Sequence, residues 1–187
     1  MFKIFGRNIR SLLFALIAVV MCGAPTNANE ANGLNEARIK NYYEAYAELF
    51  NAEKIDIHEL DKFLQTRYLD EAVTEIEFLS NASKAPKRYS QDANESKLSI
   101  LNTAQKMRDM KAQIEFKDIV IDGDNKSAVA RYAMHYFGAL ELTRKNGAAY
   151  KIPYRSVSSC VEWLRLPDDV IKIERASCHV TTQYNSK

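Results

Sequence analysis

IEFKDIVIDGDNKSAVARYAMHYF, residues 114–137, reads as two strands around a turn. Ile114 to Ile121 opens with the apolar–polar alternation of a strand that buries one face. Asp122-Gly123-Asp124 stops it with tight-turn chemistry. From Ser127 to Leu142 the chain resumes as a longer strand. The same pattern repeats downstream: Arg144-Lys145-Asn146-Gly147 turns the chain, and Tyr154 to Leu166 is the next strand. Pro167-Asp168-Asp169 turns it again, and Val170 to Gln183 is the last strand. The second half of the chain is therefore read as a meander of long antiparallel strands.

Upstream the period changes. After start chemistry at Asn35 and Glu36, the residues Ile39, Tyr42, Tyr43, Tyr46, Leu49 and Phe50 recur at three- and four-residue steps. That is one apolar stripe on a helix. Asp56 with Glu59 reads as a capping box, followed by a second helix through Ile57, Leu60, Phe63, Leu64 and Tyr68. The segment Val73 to Leu79 fits a short strand or the end of that helix. Residues 80–91 are polar around Pro86 and read as a loop. Leu98, Leu101, Ala104 and Met107 suggest a third helix running to about Met110. Helices first and a meander afterwards predict an α+β domain, with the N-terminal helices packed on a curved antiparallel sheet.

Residues 114–137, together with VEWLRLPDDVIKIERASCHV at 161–180, resemble the nuclear transport factor 2-like superfamily. That superfamily includes SnoaL-like and ketosteroid-isomerase-like proteins. The first stretch is similar to its strand, Asp-Gly turn and long second strand. The second is similar to its closing hairpin, with Val170-Ile171-Lys172-Ile173 after the charged turn and without the common Trp. The resemblance covers about Asn35 to Thr182. It implies a cone-like half-barrel whose concave face meets the helices around a pocket. These are fold signatures and imply no particular chemistry.

Residues 1–28 read as a secretory signal peptide. Lys3, Arg7 and Arg10 precede the apolar run Ser11 to Ala24, and Thr26-Asn27-Ala28 supplies small residues for cleavage. The run is short of the ~20 residues that span a bilayer. An uncleaved anchor, or lipidation at Cys22 despite Met21 before it, are the alternative readings. Cleavage leaves one domain at 29–187, in the periplasm or secreted, with no membrane span. It also leaves 23 basic groups against 24 acidic, from 26 and 24 in the whole chain. That near-neutral balance disfavours nucleic acid.

Of three cysteines, Cys160 and Cys178 then remain. Mirror positions about Asp169 set them opposite each other, the geometry of a cross-strand disulfide. The same mirror pairs Glu162 with Ala176 and Leu164 with Glu174. The other face carries Val157, Ser159, Val161 and Trp163 beside Ile171, Ile173, Arg175, Ser177 and His179. Because Trp163 and Ile173 read as core, this face is expected to be concave, with Arg155, Arg175 and His179 along it.

Tyr43, Tyr46, Trp163, Arg175 and His179 are thus the pocket candidates, although a helical aromatic stripe such as Tyr42, Tyr43 and Tyr46 is more often a core feature. His58 and His135 read as ordinary surface and strand residues. The histidine spacing fits no metal motif, and no cofactor is expected. No phosphate loop, nucleophile elbow or catalytic-cysteine setting occurs. The sequence therefore favours a non-catalytic domain that binds a small apolar ligand or an envelope protein partner, with a homodimer through the sheet as a further possibility. The alternative is an isomerase or dehydratase with His179 or Asp118 as base and Tyr46 or Arg175 as polarising partner.

Overall fold

The computed structural model describes residues 33–83 and 85–184. The leader expected at 1–28 lies outside the described residues. Helix α1 (Glu36–Glu48), helix α2 (Ile57–Gln65), strands β1 (Tyr68–Ser80) and β2 (Lys87–Asp92) and helix α3 (Ala93–Ala104) come first. Strands β3 (Met107–Ile121), β4 (Ser127–Thr143), β5 (Ala149–Arg165) and β6 (Lys172–Tyr184) follow, with a single 3-10 turn at Pro167–Asp169 before β6. The strands form one six-stranded curved sheet in the order β2-β1-β6-β5-β4-β3, left unclosed at β2 and β3.

Local chemistry accounts for the helix starts. The Asn35 side chain accepts the Arg38 N–H at 2.8 Å, and α1 buries Ile39, Tyr43, Tyr46 and Ala47. Asp56 caps α2 by accepting from His58 and Glu59. The reciprocal capping box lies at α3 instead, where Asp92 Oδ1 accepts the Glu95 N–H and Glu95 Oε2 accepts the Asp92 N–H. These bonds satisfy donors that the first helical turn leaves unpaired.

Three boundaries differ from the sequence reading. Val73 to Leu79 belongs to the 13-residue strand β1. The end of the polar segment at 80–91 is strand β2, which pairs with β1 from Val73↔Asp92 to Phe78↔Lys87. An edge strand this exposed has no buried face and so shows no alternation. Helix α3 stops at Ala104, and Met107 opens β3. A buried methionine fits either the end of a helical stripe or the start of a strand, so spacing alone did not separate them.

The sheet is also not wholly antiparallel. The β3–β4–β5–β6 meander is, as expected, but β1 lies parallel to β6, with Ile76↔Cys178 and Phe78↔Val180 in register. The helices cover the concave side. Ile39 and Tyr43 of α1 and Leu60 and Leu64 of α2 are buried there with Met110, Met134, Leu164 and Ile173 from the strands.

Two of the sheet's four register shifts bear on the site. Near its start β3 slips register against β4 between Arg108 and Lys111, with Asp109 at φ 54°. The bulge is pinned to the α1–α2 connection, since Asp109 N–H donates to Glu53 O and Met110 N–H to Ala52 O. Opposite it stands Gly138, where a Cβ would come 2.8 Å from Arg108 O and 2.9 Å from Asp109 O. Only glycine allows that approach. The second irregularity interrupts β5–β6: Trp163 faces Arg175, but Leu164 faces Ile173, so Glu174 is an extra residue.

Candidate functional site

A cavity of about 370 Å³ opens between the helices and the concave face. Its floor is buried and includes Tyr46, Arg67, Tyr132, Cys160 and Glu162. Its mouth is formed where lining residues of β2, α3 and β6 become more exposed, among them Tyr89, Thr103 and Tyr184. Most of the wall is aromatic or aliphatic, interrupted by hydroxyls from Thr74, Ser96, Ser156, Ser158 and Thr182.

The floor is organised around one ion pair. Glu162, on the concave face of β5, is 4% exposed, and Arg67, in the turn between α2 and β1, is 3% exposed. Arg67 Nη2 donates to both carboxylate oxygens, at 3.3 Å and 3.4 Å. Tyr43 Oη donates to Glu162 Oε2 at 2.6 Å and Tyr132 Oη to Oε1 at 2.8 Å. Arg67 Nη1 donates to Tyr42 Oη, and the guanidinium lies 4.1 Å from the centre of the Tyr46 ring. A buried pair survives only when most of its remaining hydrogen-bonding capacity is met, and here phenols and ring faces meet it except at Arg67 Nε.

Burial, reinforced by the Glu162 carboxylate, pushes the Tyr43 and Tyr132 phenols well above their ordinary range. Burial likewise pushes Tyr46 up, against the pull of the Arg67 charge. These phenols are donors at neutral pH. Burial works against the charge on Arg67, but the surrounding phenols and Glu162 outweigh it and hold the guanidinium firmly protonated.

The cysteine pair forms the expected cross-strand disulfide, Cys160–Cys178, with α-carbons 4.2 Å apart. Both residues line the cavity. The ligand atoms of Cys160, Cys178 and Glu162 cluster within 4.8 Å. Bonded sulfurs offer no thiolate and Glu162 is committed to Arg67, so this set does not suit a metal ion.

The face assignment from the sequence is reversed. Cys160, Glu162, Ala176 and Cys178 face the cavity, which leaves Trp163, Arg175 and His179 on the convex side. Arg175 pairs there with Glu75 at 3.2 Å and lies over the Trp163 ring. His179 is exposed, beside a shallower outer groove shared with Glu77 and Arg88. The physical cause is the Glu174 bulge, which shifts parity so that Ile173 is buried while Arg175 points outward. Inferring the inner face from Ile173 therefore inverted the hairpin, and Trp163, the other residue read as core, is a half-buried ring on the convex side under Arg175.

Of the other candidates, Tyr46 lines the cavity, and Tyr43 lies fully buried behind its floor on Glu162. Arg155 is exposed beside Phe137. Asp118 is paired with Arg131 at the surface. His135 lies near Glu115 and stacks on Phe137.

Arg67, Glu162 and Ser96 are the site residues that sequence reasoning missed. Glu162 carried a signal, because it stands between Cys160 and Leu164 at two-residue spacing and so shares their face. Arg67 carried none, lying at a helix end where a solvated cation is ordinary.

No family model matches the sequence, and no curated protein matches it. Solved structures do. A scytalone dehydratase-like protein from Novosphingobium aromaticivorans is similar at TM-score 0.53 and 12% identity, over 81% of this chain and 89% of that one. A hexachlorocyclohexane dehydrochlorinase, LinA type 2, is similar at TM-score 0.50 and 11% identity, over 80% and 88%. An NTF-2-like protein of unknown function from Silicibacter pomeroyi aligns at TM-score 0.47 and 7% identity, over 80% and 94%. The chain has the nuclear transport factor 2-like fold. Likenesses at these identities concern the fold alone.

Proposed function

We propose that the domain binds a small, largely apolar molecule in the cone cavity and holds it without chemical change. The supporting observation is the state of the lining. Its charged side chains, Arg67 and Glu162, are committed to each other and to phenols, and among the described residues no histidine lines the cavity. Acid–base catalysis needs a group free to exchange a proton near the working pH. Both oxygens of Glu162 are engaged, and the phenols are held protonated. A mostly apolar cavity of this size lies in the range that takes small ligands.

Export to the periplasm or beyond is part of the proposal. The Cys160–Cys178 bond is compatible with an oxidising compartment, and among the described residues no helix is long and apolar enough to cross a membrane.

The second reading is an elimination or isomerisation, as the names of the dehydratase-like protein and the dehydrochlorinase suggest for those proteins. Tyr46 and Arg67 at the floor favour it as polarising groups. The acid–base pairs suggested by the sequence do not support it, since His179 and Asp118 lie outside the cavity lining.

Titration with N-phenyl-1-naphthylamine tests binding. A saturable one-to-one fluorescence rise is expected, and Ser158→Trp, which fills the cavity, should abolish it. A signal unchanged by Ser158→Trp would overturn the reading. Proton exchange at the methyl group of 2-acetylnaphthalene in heavy water tests chemistry. The expected rate is that of buffer, and an acceleration lost in Ser158→Trp would establish the enzyme instead.

A further inference from the structure

Helix α3 turns Ser96, Ser99, Ile100 and Thr103 to the cavity, at the i, i+3, i+4, i+7 spacing of one helical face. This stripe, rather than one through Leu98, is what the helix presents there; Leu98 is 47% exposed. The Thr103 hydroxyl donates back to Ser99 O at 2.9 Å. Ser96 is 3% exposed, and its hydroxyl has no partner. At the floor, Arg67 Nε is likewise buried without a partner. Native folds rarely tolerate such groups, because desolvation is not returned by a hydrogen bond. Both belong to residues that line the cavity, and the Ser96 hydroxyl in particular lacks an acceptor that a molecule from outside the chain could supply.

The charge of the wall narrows what that acceptor can be. Arg67 and Glu162 neutralise each other, so the lining carries no net charge. A carboxylate ligand would add an unpaired negative charge to a mostly apolar cavity whose buried floor holds Glu162, and an ammonium would add an unpaired positive charge above Arg67. A ketone, ester or lactone carbonyl accepts a hydrogen bond without that penalty. A rotation between staggered χ1 positions is the movement that would bring the buried Ser96 hydroxyl to such an acceptor.

We infer that the cavity selects an uncharged ligand with an apolar body and a carbonyl-type acceptor, taken by the Ser96 hydroxyl, and rejects its carboxylate counterpart. This rests on the binding function proposed above.

Three probes of matched shape test it against the full-length protein: 2-acetylnaphthalene, 2-ethylnaphthalene and 2-naphthoate, each competed against N-phenyl-1-naphthylamine. The ketone should bind about ten-fold more tightly than either of the others. In Ser96→Ala its advantage over the hydrocarbon should fall to about two-fold or less, while the melting temperature holds or rises because an unpartnered hydroxyl is gone. In the wild-type protein the carbonyl stretch of bound ¹³C-labelled ketone should shift to lower frequency than in a hydrocarbon solvent, and that shift should vanish in Ser96→Ala. Equal binding of ketone and hydrocarbon overturns the inference and leaves the binding function standing. So does an unchanged ketone advantage in Ser96→Ala, and so does a carboxylate that binds best. Failure of all three probes and of the reporter overturns the binding function itself.

Discussion

Leu164 faces Ile173 across the β5–β6 hairpin, one residue out of step with the Cys160–Cys178 pairing further along the same two strands. Both side chains are buried, at 1% and 0% exposure. Arg175, two residues from Ile173 in the chain, is exposed on the opposite face because Glu174 is an extra residue between them. One bulge thus serves two ends. It keeps an isoleucine in the core beneath the helices, and it leaves Glu162 and the disulfide facing the cavity.

Ile173→Ala is therefore expected to cost about 2–5 kcal/mol, the range for truncating a fully buried aliphatic side chain. Arg175→Ala removes an ion pair with Glu75 in which both side chains are about half exposed, and should cost no more than about 1 kcal/mol. Urea unfolding followed by Trp163 fluorescence measures both. Comparable costs would mean that the hairpin runs without its bulge.

The disulfide closes a separation of 18 residues. In the chain-entropy model a loop of that size contributes about 3 kcal/mol. The Cys160→Ala/Cys178→Ala double variant should lose about that much in urea unfolding, and reduction of the wild-type domain should lose as much. A change under about 1 kcal/mol would show that the unfolded chain is already restricted without the bond.

Gly138→Ala should destabilise by about 1–3 kcal/mol through overpacking. Of the atoms a Cβ would meet, Met110 Sδ can swing aside, but the carbonyls of Arg108 and Asp109 are held by a bulge bonded to Glu53 and Ala52. A neutral result in thermal unfolding would mean that this bulge moves freely.

At the floor, Glu162→Gln leaves the Arg67 charge buried without its counterion. Breaking a buried pair in this way costs about 3–5 kcal/mol. Arg67→Met strands Glu162 to a similar degree, although Tyr43 and Tyr132 still donate to it. In the Arg67→Met/Glu162→Gln variant no charge is left to strand, so most of the loss should return. A double-mutant cycle on unfolding free energies reads the coupling. Additive losses would show that the two residues do not act as a pair.

How far the sequence carried this fold depended on what each pattern could encode. The Asp122–Asp124 turn and the Asp168–Asp169 turn announce hairpins by chemistry that few other structures use, so the meander was readable. Strand β2 was not, because Lys87 to Asp92 bury too little to alternate. Tyr46 could be placed in the cavity from its helical stripe. Arg67 and Glu162 could not be paired, since 95 residues separate them and only the folded cone brings them together. The inverted face of β5 and β6 came from a single extra residue beside Ile173 and from a large ring, Trp163, that packs under Arg175 on the convex side. A two-residue period cannot reveal a bulge, because the shift changes no residue type.

The same buried floor sets the response to alkali. Tyr43, Tyr46 and Tyr132 keep their protons in the folded state well above the ordinary phenol value, chiefly through burial. In the unfolded chain they ionise near pH ~10. Above that pH the folded form binds more protons than the unfolded form, so stability falls as pH rises. Below it both forms are protonated, and the full contribution is present. Each phenol adds a slope of up to about 1.4 kcal/mol per pH unit. Urea unfolding at about pH 9 and about pH 11 should show a steep loss between them. Tyr132→Phe should reduce the slope by about one proton. A slope unchanged in Tyr132→Phe would mean that water reaches this phenol in the folded domain, as it does the exposed Tyr89 and Tyr150, and the sealed Arg67–Glu162 floor would have to be abandoned.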